Sequence, residues 1–320
     1  MIHSEFLLHR HPDNPLIKPS DFPGGADGVR NCGQTMMGDE TILLVSVDHR
    51  ADGYRGRPGR TTHVARSRDG LRFTIDPEPF FQWPEAAKEP FYSQIDQHPI
   101  DTRVTKIGDT YYIARPGGGW GCKWGTCVIL NKTRDFRTHE YVGVIGLPSN
   151  RGASLFPEKI DGCYVKIDRP AQGSEDGNLW LSYSPDLVHW GRFKPLLAAN
   201  YATWNYYKIG PTPPVRTDKG WLEIIHGVTG SCAGKRYLLG AVLLDLKDPS
   251  KVIGKTMSFL LAPYTPYEQL GRVPNVVFAC GCIPDYDQDR LRVYYGGADT
   301  CVCLATGSIS EIVGACIQGI

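Results

Sequence analysis

Apolar and polar residues alternate along most of this chain in short runs that end in glycine, aspartate or asparagine. That is the pattern of β-strands joined by tight turns. In RGASLFPEKIDGCYVKIDRP, Leu155 and Phe156 and then Tyr164, Val165 and Ile167 are strand-forming, and Asp161-Gly162 between them is a type I′ turn signal. Similar strand–turn–strand units start at Asn31, Asp101, Lys208 and Asn275. Each is followed by a strand, a polar turn and another strand: ARSRDGLRF, NKTRDFRTHEY, SYSPDLVHW and LLDLKDPSKV, with CLATGSISEIV closing the chain. The aspartates of this second pattern, Asp69, Asp135, Asp186 and Asp248, are 66, 51 and 62 residues apart. No long helix-period stretch interrupts them. Five four-stranded units predict an all-β fold, a five-bladed β-propeller forming one domain over residues 1–320. A β-sandwich or a solenoid is the alternative, but the spacings are long for solenoid coils. FLLHR near the start or ACIQGI at the end is expected to complete a blade and limit exposed edges.

Composition narrows the partners. With 35 Lys and Arg against 34 Asp and Glu, the net charge is +1. A basic face for nucleic acid or anionic membrane is therefore not expected. No apolar run approaches the ~20 residues that span a bilayer, and the N-terminus does not read as a secretory signal, so a cytoplasmic protein is expected. Cys280/Cys282 and Cys301/Cys303 put two thiols on one strand face without the C-x-x-C knuckle of structural zinc, and are expected to be small buried hydrophobes.

Candidate chemistry follows from where the hairpins place their ends. Folding back at Asp161-Gly162 brings Arg151 and Arg169 together at the far end, where two guanidinium forks repel unless an anion lies between them. Asn31, Asp101, Lys208 and Asn275 start first strands as Arg151 does, and Asp48, His226 and Asp299 end second strands as Arg169 does. Around a common axis these positions share one mouth, a convergence typical of a ligand pocket. Glycoside hydrolysis needs two carboxylates; phosphorolysis needs one acid plus cations that hold phosphate in line with the anomeric carbon. An acid with an Arg–Arg–Lys–His cluster fits phosphorolysis better. Trp120, Trp124, Trp204, Tyr206 and Tyr207 near these ends are candidate platforms for sugar faces.

These motifs resemble glycoside hydrolase family 130, the inverting β-mannoside phosphorylases. The resemblance covers essentially the whole chain through HPDNPLIKPSDFP with GADGVRN, IDTRV, LFPEKIDGCYVKIDRP, KIGPTPPV, GWLEIIHGV, LLDLKDPSKVI, PNVVFACG and YYGGADT. It implies a five-bladed propeller that uses inorganic phosphate as co-substrate and no cofactor or metal, with homo-oligomers common among relatives. It implies Asp101, in Asp101-Thr102-Arg103-Val104, as the general acid. In at least part of the family the proton passes through the mannosyl 3-hydroxyl. Phosphate ligands map onto Arg151, Arg169, Lys208 and His226, and sugar contacts onto Asn31 and Asp299. Asp48, Arg103 and Tyr207 complete the expected substrate-binding set.

The chain departs from the family pattern in three places. Thr102 replaces a proline, which should loosen the backbone after the acid. Ser46 stands where many relatives have an arginine, so that sugar contact is missing or comes from Arg55 or Arg57. Cys32 replaces a small hydroxyl residue beside Asn31. Two other activities remain open at this level: an inverting β-mannosidase, with Glu158, Asp168 or Asp48 as base, and a carbohydrate- or protein-binding propeller without catalysis.

Overall fold

The computed structural model describes the chain apart from residues 1–5, 23–24, 50–58, 82–91, 96–98, 119–121, 173–175, 201–203, 205–206, 233 and 320. Its strands form five antiparallel blades in a ring. Blade I comprises Gly28–Met37, Glu40–Asp48, Arg60–Ser67 and Thr74–Ile75, and blade II Arg103–Ile107, Thr110–Gly117, Cys127–Thr133 and Glu140–Gly146. Blade III comprises Asn150–Leu155, Tyr164–Gln172, Leu179–Ser184 and Gly191–Leu197. In blade IV a broken first strand, Lys208–Gly210 then Val215–Arg216, precedes Trp221–Ser231, Gly234–Leu244 and Val252–Lys255. Blade V likewise begins with Val277–Ala279 and Ile283–Asp285, followed by Arg290–Gly297 and Cys301–Ser308.

The N-terminal segment closes the ring. His9–Arg10 pairs antiparallel with the last strand, His9 opposite Thr306 and Arg10 opposite Ala305. The Arg10 guanidinium donates to both carboxylate oxygens of Glu268, each at 2.8 Å, and Glu268 also accepts from the Tyr295 hydroxyl. A fully buried carboxylate met by a bidentate arginine fixes the closing strand in register. FLLHR is thus the closing strand. The ACIQ of ACIQGI instead belongs to a helix, Ile309–Gln318, and so does the SEIV segment expected as a strand. Ile309, Ile312, Val313 and Cys316 recur at helical spacing and are buried, while the Ser308 hydroxyl caps the first turn by accepting from the Glu311 amide. The pattern is only ten residues long, too short to stand out among strands.

Apolar residues fill the wedges between blades rather than one central core. Ile42, Leu44 and Val64 of blade I meet Val104 and Ile113 of blade II; Ala114 and Leu130 meet Ala153 and Leu155 of blade III. Val165 and Ile167 meet Ile209 and Ile225; Leu239 and Ala241 meet Val277 and Val293; and Tyr294 and Val302 meet Val29 and Val45. Alternation within each strand therefore serves two neighbours at once. Outer turns repeat one device: the carboxylates of Asp69, Asp135 and Asp186 accept from the amides two and three residues on. In blade IV that role falls to Asp245, not Asp248, which accepts from Ser250. All ten cysteines are free thiols. Among the described residues, no helix is long and apolar enough to cross a membrane, and no group of three or more His, Cys, Asp or Glu is placed to hold a metal ion.

Candidate active site

The ends of the first two strands of each blade meet at one mouth of the ring, and the backbone there is unusual. Asn31, inside the first strand of blade I, and Asp101 and Asn275, just before the first strands of blades II and V, have φ of 44°, 51° and 60°, and Asp299 has φ 52°. Asn and Asp tolerate this left-handed region better than other side-chain-bearing residues, and such conformations cluster at functional sites. The kink turns Asn31 toward the next blade, where its Nδ2 donates to Asp101 Oδ1 at 2.9 Å. The Asn31 carbonyl and the Asp101 amide are both bonded to the Ser46 hydroxyl at 3.1 Å.

One half of the mouth is built around Arg30, which was not among the expected site residues. A register shift between Arg30 and Gly33 interrupts the pairing there. The buried Arg30 donates through Nε to Asp48 Oδ2 at 2.7 Å, and its Nη1 lies 3.7 Å from Asp101 Oδ1 and 3.6 Å from Asp299 Oδ2. Burial works to lower the Arg30 pKa, but Asp299, Asp101 and Asp48 outweigh it and raise it. Arg30 pairs across the sheet with Ser46, which puts a guanidinium opposite the serine. Arg55 and Arg57 lie outside the described residues. The visible signal was the arginine of VRN, directly before Asn31. Asp48 is also held by Arg60 Nε at 2.8 Å and has Arg272 at 3.7 Å.

The three carboxylates differ in electrostatics. Burial would push Asp101 up, but Arg30, Arg151, the Asn31 amide and Arg103 together hold it below the usual carboxylate range. Asp299 goes the other way: burial raises it, Arg30 opposes, and Asp101 and Asp48 add to the rise. Asp48 is held low, as Arg30, Arg272 and Arg60 overcome its burial.

The other half is cationic. Arg151 Nη2 lies 3.8 Å from Asp101 Oδ2 and its side chain is half exposed. A Cβ on Gly152 would stand 3.3 Å from Arg169 Nε and 3.6 Å from Arg103 Nη2, so the lack of a side chain there lets three arginines converge. Arg169 Nε is buried with no hydrogen-bond partner among the described residues. Burial, then Arg103 and Arg151, bring Arg169 down to about 10. His226 lies across Gly210, where a Cβ would collide with the ring, and stacks on Phe278 with centroids 4.3 Å apart. Its Nδ1 is also buried without a hydrogen-bond partner among the described residues. Burial and then Arg169, Arg103 and Lys208 drive the His226 pKa well below the ordinary value, so the ring is neutral. Lys208 Nζ sits 5.1 Å from the centre of the Tyr237 ring. Tyr237, also unanticipated, is raised by burial against the opposing pull of Arg169 and Arg151, and its ring lies 6.1 Å from that of His226.

Other expected residues take different roles. Arg103 gives two donors to backbone, Nε to the Pro211 carbonyl and Nη1 to the Asp101 carbonyl, both at 2.8 Å, which braces the chain at Asp101. Thr102 does not loosen the chain: its hydroxyl donates to the Leu44 carbonyl at 3.3 Å and accepts from the Gly33 amide at 3.2 Å, pinning blade II to blade I. Cys32 points into the core, its thiol 3.9 Å from the Tyr294 carbonyl. Trp204 packs on Gly240 within the blade III–IV wedge rather than forming a platform. Tyr207 lies over Gly230, and Trp124 is exposed on the blade II loop with Nε1 donating to Gln94. Trp120 and Tyr206 fall outside the described residues. Of the candidate bases for hydrolysis, Glu158 is at the opposite end of its hairpin, paired with Arg216 at 3.2 Å, and Asp168 is buried against Lys166.

Comparison with known proteins finds relatives along most of the chain. A family profile for glycoside hydrolase 130, described as beta-1,4-mannooligosaccharide phosphorylase, matches residues 43–318. The chain is 39% identical over 253 residues to a beta-1,2-mannobiose phosphorylase of Listeria innocua, covering 78% of this chain and 67% of that protein. It is 35% identical over 316 residues to a beta-1,4-mannooligosaccharide phosphorylase of Ruminococcus albus, covering 96% and 90%. A solved structure of the beta-1,2-mannobiose phosphorylase from Listeria innocua, in complex with beta-1,2-mannobiose, superposes with a TM-score of 0.81 at 29% identity over 97% of this chain and 99% of that one.

Proposed function

The chain belongs to glycoside hydrolase family 130, and on that premise we propose how its mouth carries out the phosphorolysis of β-mannosides. The enzyme is a β-mannoside phosphorylase: it splits a β-mannoside with inorganic phosphate into α-mannose 1-phosphate and a shortened acceptor. One observation carries the assignment of residues. Arg151, Arg169, Lys208 and neutral His226 converge beside Asp101, with Arg169 Nε and His226 Nδ1 buried and unmatched. A tetrahedral anion with several acceptor oxygens satisfies those groups and relieves the repulsion among the arginines.

In this scheme phosphate held by Arg151, Arg169, Lys208 and His226 attacks the anomeric carbon from the face opposite the glycosidic oxygen. The C1–O bond to the acceptor breaks as the C1–O bond to phosphate forms, and the anomeric configuration inverts. Asp101 supplies the proton that the leaving oxygen takes up, directly or through the mannosyl 3-hydroxyl. Asn31, Arg30 and Asp299 line the mannosyl side.

The electrostatics add an ordering step. Without phosphate, Asp101 is held ionised by Arg30 and Arg151 and cannot act as an acid. Phosphate bound on Arg151 cancels part of that pull and raises Asp101 toward its protonated form. The acid is therefore armed by its co-substrate. A hydrolytic scheme is disfavoured, because Asp48 is bonded to two arginines, Asp168 to a lysine, and Glu158 lies away from the mouth.

The test is product analysis with β-1,2-mannobiose, β-1,4-mannobiose and mannosyl-glucose, with and without phosphate. Mannose 1-phosphate should form only when phosphate is present; release of free mannose at an equal rate without it would overturn the assignment. A cytoplasmic setting, with no resident cofactor, fits ten reduced thiols and a phosphate-dependent reaction.

A further inference from the structure

The two phosphate-facing arginines are each preceded by a buried polar residue, and those two residues are bonded to each other. Asn150 Nδ2 donates to Asp168 Oδ1 at 2.8 Å, from the first strand of blade III to the second. Pairing along this hairpin runs evenly from Leu155–Lys166 to Ala153–Asp168 and resumes only at Asn150–Pro170, so Arg151 and Gly152 stand in a bulge. Asn150 Oδ1 accepts from the Gly152 amide at 3.3 Å and thus holds the bulge from inside. Bulges of this kind re-aim a side chain. Here the side chain is Arg151.

Asp168 is fixed in turn. Lys166 Nζ donates to both its oxygens at 2.5 and 2.6 Å, and the Ser182 hydroxyl donates to Oδ2 at 2.6 Å. Lys166 is 1% exposed and stands 4.8 Å from the centre of the Trp190 ring. A bare Asp168 carboxylate one residue from Arg169 would compete with phosphate for the guanidinium groups. Its charge is instead cancelled by Lys166 on the far face of the strand.

We propose that Asn150, Asp168 and Lys166 form a positioning device that sets the geometry of the Arg151–Arg169 pair and thereby the enzyme's affinity for phosphate. The proposal rests on the assignment of that pair to phosphate. None of the three touches the reacting atoms; they act through the bulge. The device explains why a buried lysine is retained where an apolar residue would pack as well: the hairpin end must be rigid without drawing on the charge of the arginines.

Steady-state phosphorolysis with each substrate varied separately tests this, together with thermal unfolding. Asn150→Ala should raise the phosphate KM about tenfold while the mannoside KM stays within about twofold, since misplacing a binding fork is felt by its own ligand. Lys166→Met leaves the buried Asp168 carboxylate without its counter-charge, and should both lower Tm and raise the phosphate KM. The double variant Lys166→Met/Asp168→Asn restores neutrality and keeps an acceptor for Asn150, so both values should return toward wild type. A folded Asn150→Ala with unchanged phosphate KM, or with both KM values moved equally, would overturn the proposal. Wild-type turnover that ignores phosphate would instead defeat the functional assignment on which it rests.

Discussion

The two halves of the propeller mouth solve opposite electrostatic problems. Around Arg30, three carboxylates face one buried guanidinium, with Arg60 and Arg272 also on Asp48, and Asp299 is raised toward its protonated form by burial first and then by Asp101 and Asp48. Around Gly152, three arginines with Lys208, beside the neutral ring of His226, put positive charge in excess, and burial together with Arg103 and Arg151 brings Arg169 down to about 10. Asp101 lies on the boundary and touches both halves, through Asn31 and Arg30 on one side and Arg151 on the other. The difference teaches where each substrate belongs. A neutral sugar with many hydroxyls suits a rigid field of acceptors, whereas an anion suits donors left without partners.

Four changes should break or sharpen this contrast. The largest effect is expected at the boundary: Asp101→Asn should lower kcat by about 10³-fold, the scale of a lost general acid, while phosphate still binds. Initial-rate assays with calorimetric phosphate titration check this. Next, Arg169→Met should raise the phosphate KM by about 10²-fold and leave the mannoside KM nearly unchanged, because it removes a charge-assisted fork from the cationic half alone. A parallel rise in both values would erase the distinction between the halves. Arg30→Met should do the reverse, weakening mannoside binding most; removing the buried guanidinium that faces Asp48, Asp101 and Asp299 should also cost about 3–5 kcal/mol in denaturant unfolding.

The smallest effect concerns pH. His63 is depressed to about 4, chiefly by burial, and His226 is held well below its ordinary value. Below about pH 6.5 the unfolded chain takes up protons that the folded chain refuses, so stability should fall as pH drops from about 6.5 toward 4. Unfolding midpoints across that range should show the slope. His63→Gln should flatten it without changing phosphate KM, since His63 lies in blade I, bonded to Thr61 and the Asp76 carbonyl.

Much of the site was legible because its carriers are local. Asp161 and Gly162 both have positive φ, as a type I′ turn demands, and the turn places Arg151 and Arg169 at one end whatever surrounds them. Asn31, Asp101 and Asp299 were found by their places in a repeated hairpin. Arg30 was missed because alternation assigns it the face opposite Asn31, and only the register shift at that point lets both reach the mouth. Thr102 was misjudged because a lost proline can be read in sequence, whereas its two hydrogen bonds to blade I cannot.

The sequence by itself determined the strands, their turns and the repeat that makes five blades, since these follow from residue period and turn chemistry within about 20 neighbours. It also determined which charged types each hairpin would deliver to the mouth. Only the tertiary structure decided which charges meet. The Asn31–Asp101 bond spans 70 residues, and the Arg10–Glu268 lock that closes the ring spans 258. Such contacts depend on how blades are wedged together by the apolar layers between them, and no local pattern records the distance across an axis.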